Sequence, residues 1–323
     1  MTRPRILATR RWPKAVEQKL AELFELTLNA ADVPLSEADL RDAMGQYDAI
    51  LPTVTDRLPA AVFDGSAART RILANYGVGY AHIDTEAAKA RGITVTNTPD
   101  VLSECTADIA MTLMLMVARR AGEGERELRD RRWTGWRPTH LIGTKVSGAT
   151  LGIIGFGRIG QAMAQRAHFG FGMKIVVQNR SAVPAEVLAR YNAVQVPTID
   201  DILPQCDFVS LHCPGGAANR HLINAQRLDL MRPGAFLINT ARGEVVDELA
   251  LAQALWFGTI GGAGLDVFER EPSIPPELLG ADNLVMLPHL GSATRETREA
   301  MGFRVLENLD AFFEGRAPRD RVA

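Results

Sequence analysis

The stretch Thr150-Leu151-Gly152-Ile153-Ile154-Gly155-Phe156-Gly157-Arg158-Ile159-Gly160 decides the fold. An apolar run of strand length meets a Gly-x-Gly-x-x-Gly turn. A helical pattern follows to about Gly170, and a second apolar run, Lys174–Val177, ends at Gln178-Asn179-Arg180-Ser181. Strand, glycine turn, helix, strand is the order that a dinucleotide-binding βαβ unit requires. In such a unit Gly155 permits the tight turn, Gly157 lets the backbone approach a pyrophosphate, and Gly160 lets the helix lie close on the strand. The helix start then offers the phosphates free N–H groups and the positive end of its dipole.

The same grammar extends in both directions. Upstream, Arg5–Thr9, Phe24–Leu28, Ala49–Leu51, Arg71–Ala74 and Thr94–Thr96 read as strands, and Lys14–Leu23 has helical spacing. Ser36-Glu37-Ala38-Asp39 has the form of a capping box opening a helix to Met44. Downstream, Phe208–His212, Ala235–Asn239, Gly262–Asp266 and Leu284–Leu287 are further strands. Alternating strands and helices predict an α/β chain of mostly parallel sheets with flanking helices.

Two breakers divide the chain. Asn97-Thr98-Pro99 precedes a long helix, Leu102–Arg120, and Pro288 precedes another, Ser292–Phe313. The expectation is a discontinuous substrate domain, 1–99 with 288–323, and an inserted nucleotide domain, 100–287. Paired crossings make a hinge and favour a ligand cleft there. The segment Gly122–His140, basic and carrying Trp133 and Trp136, shows no clear period.

Composition narrows the function. With 323 residues, 46% hydrophobic and 23% charged, the chain is long enough for two domains with sizeable cores. A net charge of −2 gives no argument for a nucleic-acid partner or an acidic membrane surface. The longest apolar stretch, Ile109–Ala118, falls short of the roughly 20 residues that a bilayer needs. Cys105, Cys206 and Cys213 lack metal-like spacing and read as reduced thiols. Met1–Arg10 has no apolar core of a signal peptide, so a cytoplasmic chain without a metal is expected.

Three strand ends carry polar groups. Asn239-Thr240-Ala241-Arg242-Gly243 offers a guanidinium that could grip a carboxylate in two-point fashion, or be an ordinary loop arginine. Leu265-Asp266-Val267-Phe268-Glu269-Arg270-Glu271-Pro272 gathers several acids, as a solvated turn also would. Leu287-Pro288-His289-Leu290-Gly291-Ser292 sets a histidine where it could transfer a proton near neutral pH, or simply pack or cap. Together they complete one mechanism: arginine for a keto acid's carboxylate, histidine for its carbonyl oxygen, and glutamate to hold the histidine, with a nicotinamide supplying hydride.

With these segments in hand, the chain resembles the D-isomer-specific 2-hydroxyacid dehydrogenase family, and within it the glyoxylate/hydroxypyruvate reductase branch. The likeness also covers Asn75-Tyr76-Gly77-Val78-Gly79, Glu104-Cys105-Thr106-Ala107-Asp108 and Leu211-His212-Cys213-Pro214. It implies a flavodoxin-like substrate domain and a Rossmann nucleotide domain. The catalytic groups that the resemblance implies are Arg242, Glu271 and His289. Substrate contacts fall on Leu51, Tyr76 and the backbone turn Val78-Gly79, together with Arg242 and His289. Cofactor contacts fall on Thr106, Gly155, Phe156, Gly157, Arg158, Ile159, Gly160, His212, Cys213, Pro214, Thr240, Ala241, Arg242, Asp266, His289 and Gly291. Two departures stand out: Ala81 where the family often has aspartate, and Gly215-Gly216-Ala217-Ala218-Asn219 in place of Leu-Thr-Pro-Glu-Thr. The second puts side-chain packing against the cofactor in question.

NAD-specific members carry an acid after the second strand, for the ribose 2′-hydroxyl. This chain has Asn179, Arg180 and Ser181, which do not repel a 2′-phosphate and can bind it. NADP(H) is therefore favoured, with NAD(H) possible. The expected reaction is reduction of a small 2-keto acid, glyoxylate or hydroxypyruvate, to the D-2-hydroxy acid. Alternatives on the same scaffold are another D-2-hydroxyacid dehydrogenase, including phosphoglycerate dehydrogenase, or formate or phosphonate oxidation. A nucleotide-sensing corepressor is the non-enzyme alternative. The resemblance also implies a homodimer through the nucleotide domain, with Trp133 and Trp136 in packing or at a partner's cleft.

Overall fold

The computed structural model describes residues 3–64 and 69–323. It separates into two compact units, Met1–Leu102 with Ala293–Ala323, and Ser103–Ser292.

The first unit is built on β1 (Arg5–Ala8), β2 (Glu25–Leu28), β3 (Ala49–Leu51), β4 (Ile72–Ala74) and β5 (Thr94–Thr96). They pair in parallel in the order β2-β1-β3-β4-β5, the flavodoxin-like arrangement. The three inner strands β3, β4 and β1 are short and apolar because helices cover both faces of a parallel sheet. Helices Lys14–Leu23, Glu37–Met44, Thr85–Ala90 and Arg295–Phe313 provide that cover. The predicted capping box is present: the Ser36 hydroxyl accepts from the Asp39 amide, and the Asp39 carboxylate accepts from the Ser36 amide. Such a cap contributes about 1 kcal/mol.

The second unit holds a seven-stranded parallel sheet. Its strands are β6 (Thr150–Ile154), β7 (Lys174–Gln178), β8 (Val194–Gln195), β9 (Phe208–Leu211), β10 (Phe236–Asn239), β11 (Gly262–Leu265) and β12 (Leu284–Met286). Their order is β12-β11-β10-β9-β6-β7-β8, so the chain reverses direction across the sheet between β6 and β9. In open parallel sheets the crevice at the C-terminal ends beside such a reversal is where ligands bind. Every residue of β9, β10 and β11 is buried, as two-sided cover demands. Helix Ser103–Ala118 covers one face with a nearly all-apolar sequence.

Two differences from the sequence reading have physical causes. The second unit runs to Ser292 instead of ending before Pro288. Its last residues are tied to the end of β11: the Leu287 amide donates to the Leu265 carbonyl, and the His289 amide to the Asp266 carbonyl. The segment without period contains a helix, Ala121–Arg129, none of whose residues is buried. An exposed helix needs no apolar stripe, so periodicity misses it. Among the described residues no helix is long and apolar enough to cross a membrane.

Candidate active site

The glycine turn occupies the switch point of the second sheet. Gly155 has φ +90°, and a Cβ there would fall 2.6 Å from the Cys213 nitrogen and 2.7 Å from the His212 carbonyl carbon. Only glycine lets the exits of β6 and β9 pass so closely. At Gly160 a Cβ would meet the Gly155 carbonyl oxygen at 2.3 Å, which explains the close seat of helix Arg158–Gln165 on its strand. Gly157, which caps that helix, faces open space on its Cβ side. Arg158 and Ile159 form the first helical positions, where backbone N–H groups lack helical partners.

Neighbouring strand ends complete this rim. The Phe156 amide donates to Asn179 Oδ1 at 3.1 Å, and Asn179 Nδ2 donates to the carbonyl and hydroxyl of Ser181. This amide bridge fixes the loop after β7 against the glycine turn. Arg180 between them is exposed and, among the described residues, makes no hydrogen bond or ion pair. Cys213 and Pro214 follow β9, and burial pushes the Cys213 thiol up to about 11, which keeps it protonated. Burial pushes His212 down to about 4, so it is neutral; its Nε2 lies 2.9 Å from Ser210 Oγ. After β10, Thr240 Oγ1 is buried without a hydrogen-bond partner among the described residues. An open glycine cradle, a helix start with its positive dipole end and an orphaned hydroxyl on one strand-end rim fit a dinucleotide.

The histidine and glutamate meet as expected. His289 Nδ1 lies 2.8 Å from Glu271 Oε2, and both side chains keep about a third of their surface accessible. Burial opposes ionisation of Glu271. Its hydrogen bond and charge contact with His289 lead the contributions that nevertheless hold the carboxyl below its usual range, with the Phe268 amide and Arg242 adding to them. His289 itself has φ +56°, a left-handed conformation that a side chain rarely adopts. Asp266 explains how it is held. The fully buried Asp266 carboxylate accepts from the Leu290 and Gly291 amides, each at 2.7 Å. Thr106 adds a bond from its hydroxyl to the Gly291 carbonyl at 3.2 Å. Thr106, Asp266 and Gly291, predicted as cofactor contacts, are thus also the frame of the histidine loop.

Arg242 follows β10 in a turn bracketed by Asn239, whose Oδ1 accepts from the Ala241 amide and whose Nδ2 donates to the Arg242 carbonyl. Arg242 Nη1 donates to the Ala241 carbonyl at 2.6 Å. Burial lowers the guanidinium's pKa, and the nearby Glu271 and Glu244 carboxylates oppose that effect. Gly243 brings the arginine and glutamate loops together: a Cβ there would overlap the Phe268 carbonyl carbon at 1.8 Å. Arg242, Glu271 and His289, far apart in sequence, therefore share one strand-end edge of the second unit.

The remaining predicted substrate residues lie in the first unit. Leu51 ends β3 fully buried, and its carbonyl accepts from the Thr9 amide and hydroxyl, so it serves as a core residue. Tyr76 packs against Trp12 with ring centroids 4.4 Å apart and the planes tilted by 37°, and its hydroxyl donates to the Arg298 carbonyl at 2.6 Å. The carbonyls of Val78 and Gly79 accept from the side-chain amides of Asn97 and Asn75. Among the described residues the Val78 and Gly79 amides have no acceptor, which leaves them available to an anion.

Sequence reasoning missed Gly243, Glu244 and Glu248. Glu248 accepts from the Glu269 amide at 2.7 Å and so fixes the loop that carries Glu271. Each of these roles depends on a partner more than twenty residues away, and no local spacing signals it.

Residues 111–291 match the family model described as D-isomer specific 2-hydroxyacid dehydrogenase, NAD binding domain. A glyoxylate reductase of Thermococcus onnurineus is 44% identical over 98% of this chain and 95% of its own length. A glycerate dehydrogenase of Hyphomicrobium methylovorum is 36% identical over 98% of both. Among solved structures, an NADPH-dependent glyoxylate/hydroxypyruvate reductase of Sinorhizobium meliloti, in complex with NADP and malonate, superposes with a TM-score of 0.86. It is 39% identical, over 100% of this chain and 97% of that one. With near full-length likeness and a dinucleotide rim beside a histidine–glutamate pair and an arginine, the chain belongs to the D-isomer specific 2-hydroxyacid dehydrogenase family.

Proposed function

We propose that the protein reduces glyoxylate or hydroxypyruvate to the corresponding 2-hydroxy acid and prefers NADPH. The observation that carries this reading is the His289–Glu271 pair, 2.8 Å apart, on the same edge as Arg242. The names of the similar reductases support the choice of substrates.

A nicotinamide dinucleotide held on this rim would supply a hydride for the keto carbon. Arg242 binds the substrate's carboxylate and draws electron density towards the carbonyl oxygen. His289 gives its proton to the oxygen as the alkoxide develops, so that keto acid, hydride and proton balance as the hydroxy acid. Glu271 keeps the imidazole oriented through Nδ1. Gly155–Gly160, Thr240 and the loop after β7 hold the dinucleotide.

Cofactor preference rests on Asn179-Arg180-Ser181. No acid faces a 2′-phosphate there, and Arg180 is exposed and uncommitted. Steady-state assays of a panel of 2-keto acids against both cofactors test the proposal. The expected result is turnover of glyoxylate and hydroxypyruvate, with kcat/KM for NADPH above that for NADH. Equal values or the reverse order would remove the NADPH claim.

A homodimer is proposed as well. Trp133, Trp136 and Ile142 are exposed in the segment after helix Ala121–Arg129, which suits coverage by a second copy. Light scattering that gives a monomer mass would exclude it. The three free cysteines support a reducing, cytoplasmic setting.

A further inference from the structure

The segment where the chain departs from its family pattern touches the arginine. A Cβ at Gly215 would fall 2.5 Å from Glu244 Oε1, 2.9 Å from Arg242 Cγ and 3.3 Å from Arg242 Cβ. Carbon atoms do not approach oxygen or carbon so closely without displacing them. The volume that any other residue would fill is occupied by the Glu244 carboxylate and the Arg242 stem. The same carboxylate oxygen accepts from the Gly216 amide at 2.6 Å. Gly216 has φ +99°, so the turn that aims this amide also calls for glycine. On the other side, the Glu244 carbonyl accepts from the His221 amide at 2.7 Å, which holds both ends of the glutamate to the 215–221 loop.

We infer that Gly215 and Glu244 form a paired device that positions Arg242 and thereby sets the enzyme's affinity for the carboxylate of its substrate. Glu244 is a positioning residue that acts through Arg242, and Gly215 is glycine to make room for it. The departure at 215–219 thus serves the arginine. This inference rests on the proposed role of Arg242 as the carboxylate's ligand. It also accounts for a second carboxylate near a half-buried guanidinium that already has Glu271 beside it.

The test is kinetic, on the whole enzyme with glyoxylate and NADPH. Gly215→Ala keeps an allowed backbone but inserts the offending methyl. It should raise KM for glyoxylate about tenfold or more, since small misplacements of a positioning group cost up to about a hundredfold. The change in kcat should be smaller, and the NADPH Kd should stay within about twofold on the same scale. Glu244→Ala should raise KM in the same way. Glu244→Gln, which can still accept from the Gly216 amide, should recover most of the loss. Because the two residues share one contact, Gly215→Ala/Glu244→Ala should raise KM by less than the product of the single effects.

An unchanged KM in Gly215→Ala would overturn the inference. So would an NADPH Kd that rises as much as KM, or single effects that multiply. Should Gly215→Ala melt too low to assay, the Glu244→Ala and Glu244→Gln pair decides by its KM difference. Arg242→Ala separates the two levels. If it leaves KM unchanged, the proposed role of Arg242 fails. If it abolishes turnover while Gly215→Ala is neutral, only the present inference fails.

Discussion

His289 Nδ1 and Glu271 Oε2 are 2.8 Å apart, and the backbone of that histidine is held in a left-handed turn by Asp266. The imidazole is oriented through one nitrogen, so the other is left for chemistry. Glu271→Gln keeps a hydrogen-bonding group of the same size and removes the carboxylate that faces the ring nitrogen. It should lower kcat/KM for keto-acid reduction by about 100-fold, the lower end of what general acid catalysis contributes. NADPH affinity, measured by fluorescence titration, should be unaffected. A variant as active as the parent would detach Glu271 from the proton step.

Asp266 is predicted to act on the same loop without touching the proton. Asp266→Asn replaces one of two carboxylate oxygens by an NH2 group, which must face the Leu290 or Gly291 amide. Two donors then meet in a buried place, at a cost of about 1–3 kcal/mol. Thermal unfolding should shift down and kcat should fall together. An unchanged melting temperature would show that the two amides find other acceptors.

Much of this arrangement was legible in the chain, for reasons that differ by element. The β6–glycine–helix unit announces itself because strand period, glycine turn and helix period are all local. The capping box at Ser36 and Asp39 is local too, and the structure forms it. The end of the second unit at Ser292 is not local, because bonds from residues 287–291 back to β11 and Asp266 decide it. Helix Ala121–Arg129 escapes notice because nothing on it is buried. In the site, residue types suggested an arginine, an acid and a histidine, and the family resemblance pointed to Arg242, Glu271 and His289. The tight crossing of Gly243 on Phe268, and that of Gly215 on Glu244, exist only once distant loops meet.

Glycine substitutions test the dinucleotide rim. Gly160→Ala must push the helix off the Gly155 carbonyl, and Gly155→Ala adds a strained φ to its clash with the exit of β9. Strain of the second kind costs about 1–3 kcal/mol. Both variants should weaken NADPH binding in titration and lower the melting temperature, with Gly155→Ala the more severe in Kd. Retained NADPH affinity in both would place the cofactor elsewhere.

Acid stability should report on Glu17. Its buried carboxylate accepts from Arg11 Nε and Nη2 and from the Trp12 amide, each at 2.8 Å. The Arg11 hydrogen bond leads the effects that hold its pKa below the ordinary 4.5, against the opposing effect of burial. A folded-state pKa below the unfolded one contributes stability above the unfolded value and loses it as pH falls through the folded value. The melting-temperature gap between the parent and Glu17→Gln should therefore be full above about pH 5 and shrink below about pH 4. A gap constant down to pH 3, about one and a half units below the ordinary value, would contradict the assignment. Trp12 packs against Tyr76, so this ion pair also supports the first unit's proposed substrate residue.

The most direct measurement compares the parent enzyme with His289→Ala on hydroxypyruvate and NADPH, following NADPH consumption and the configuration of the glycerate formed. The parent should form one D-glycerate per NADPH consumed. Turnover should fall by about 100- to 10,000-fold in His289→Ala, with NADPH affinity retained. Undiminished turnover in the variant, or L-glycerate from the parent, would contradict it.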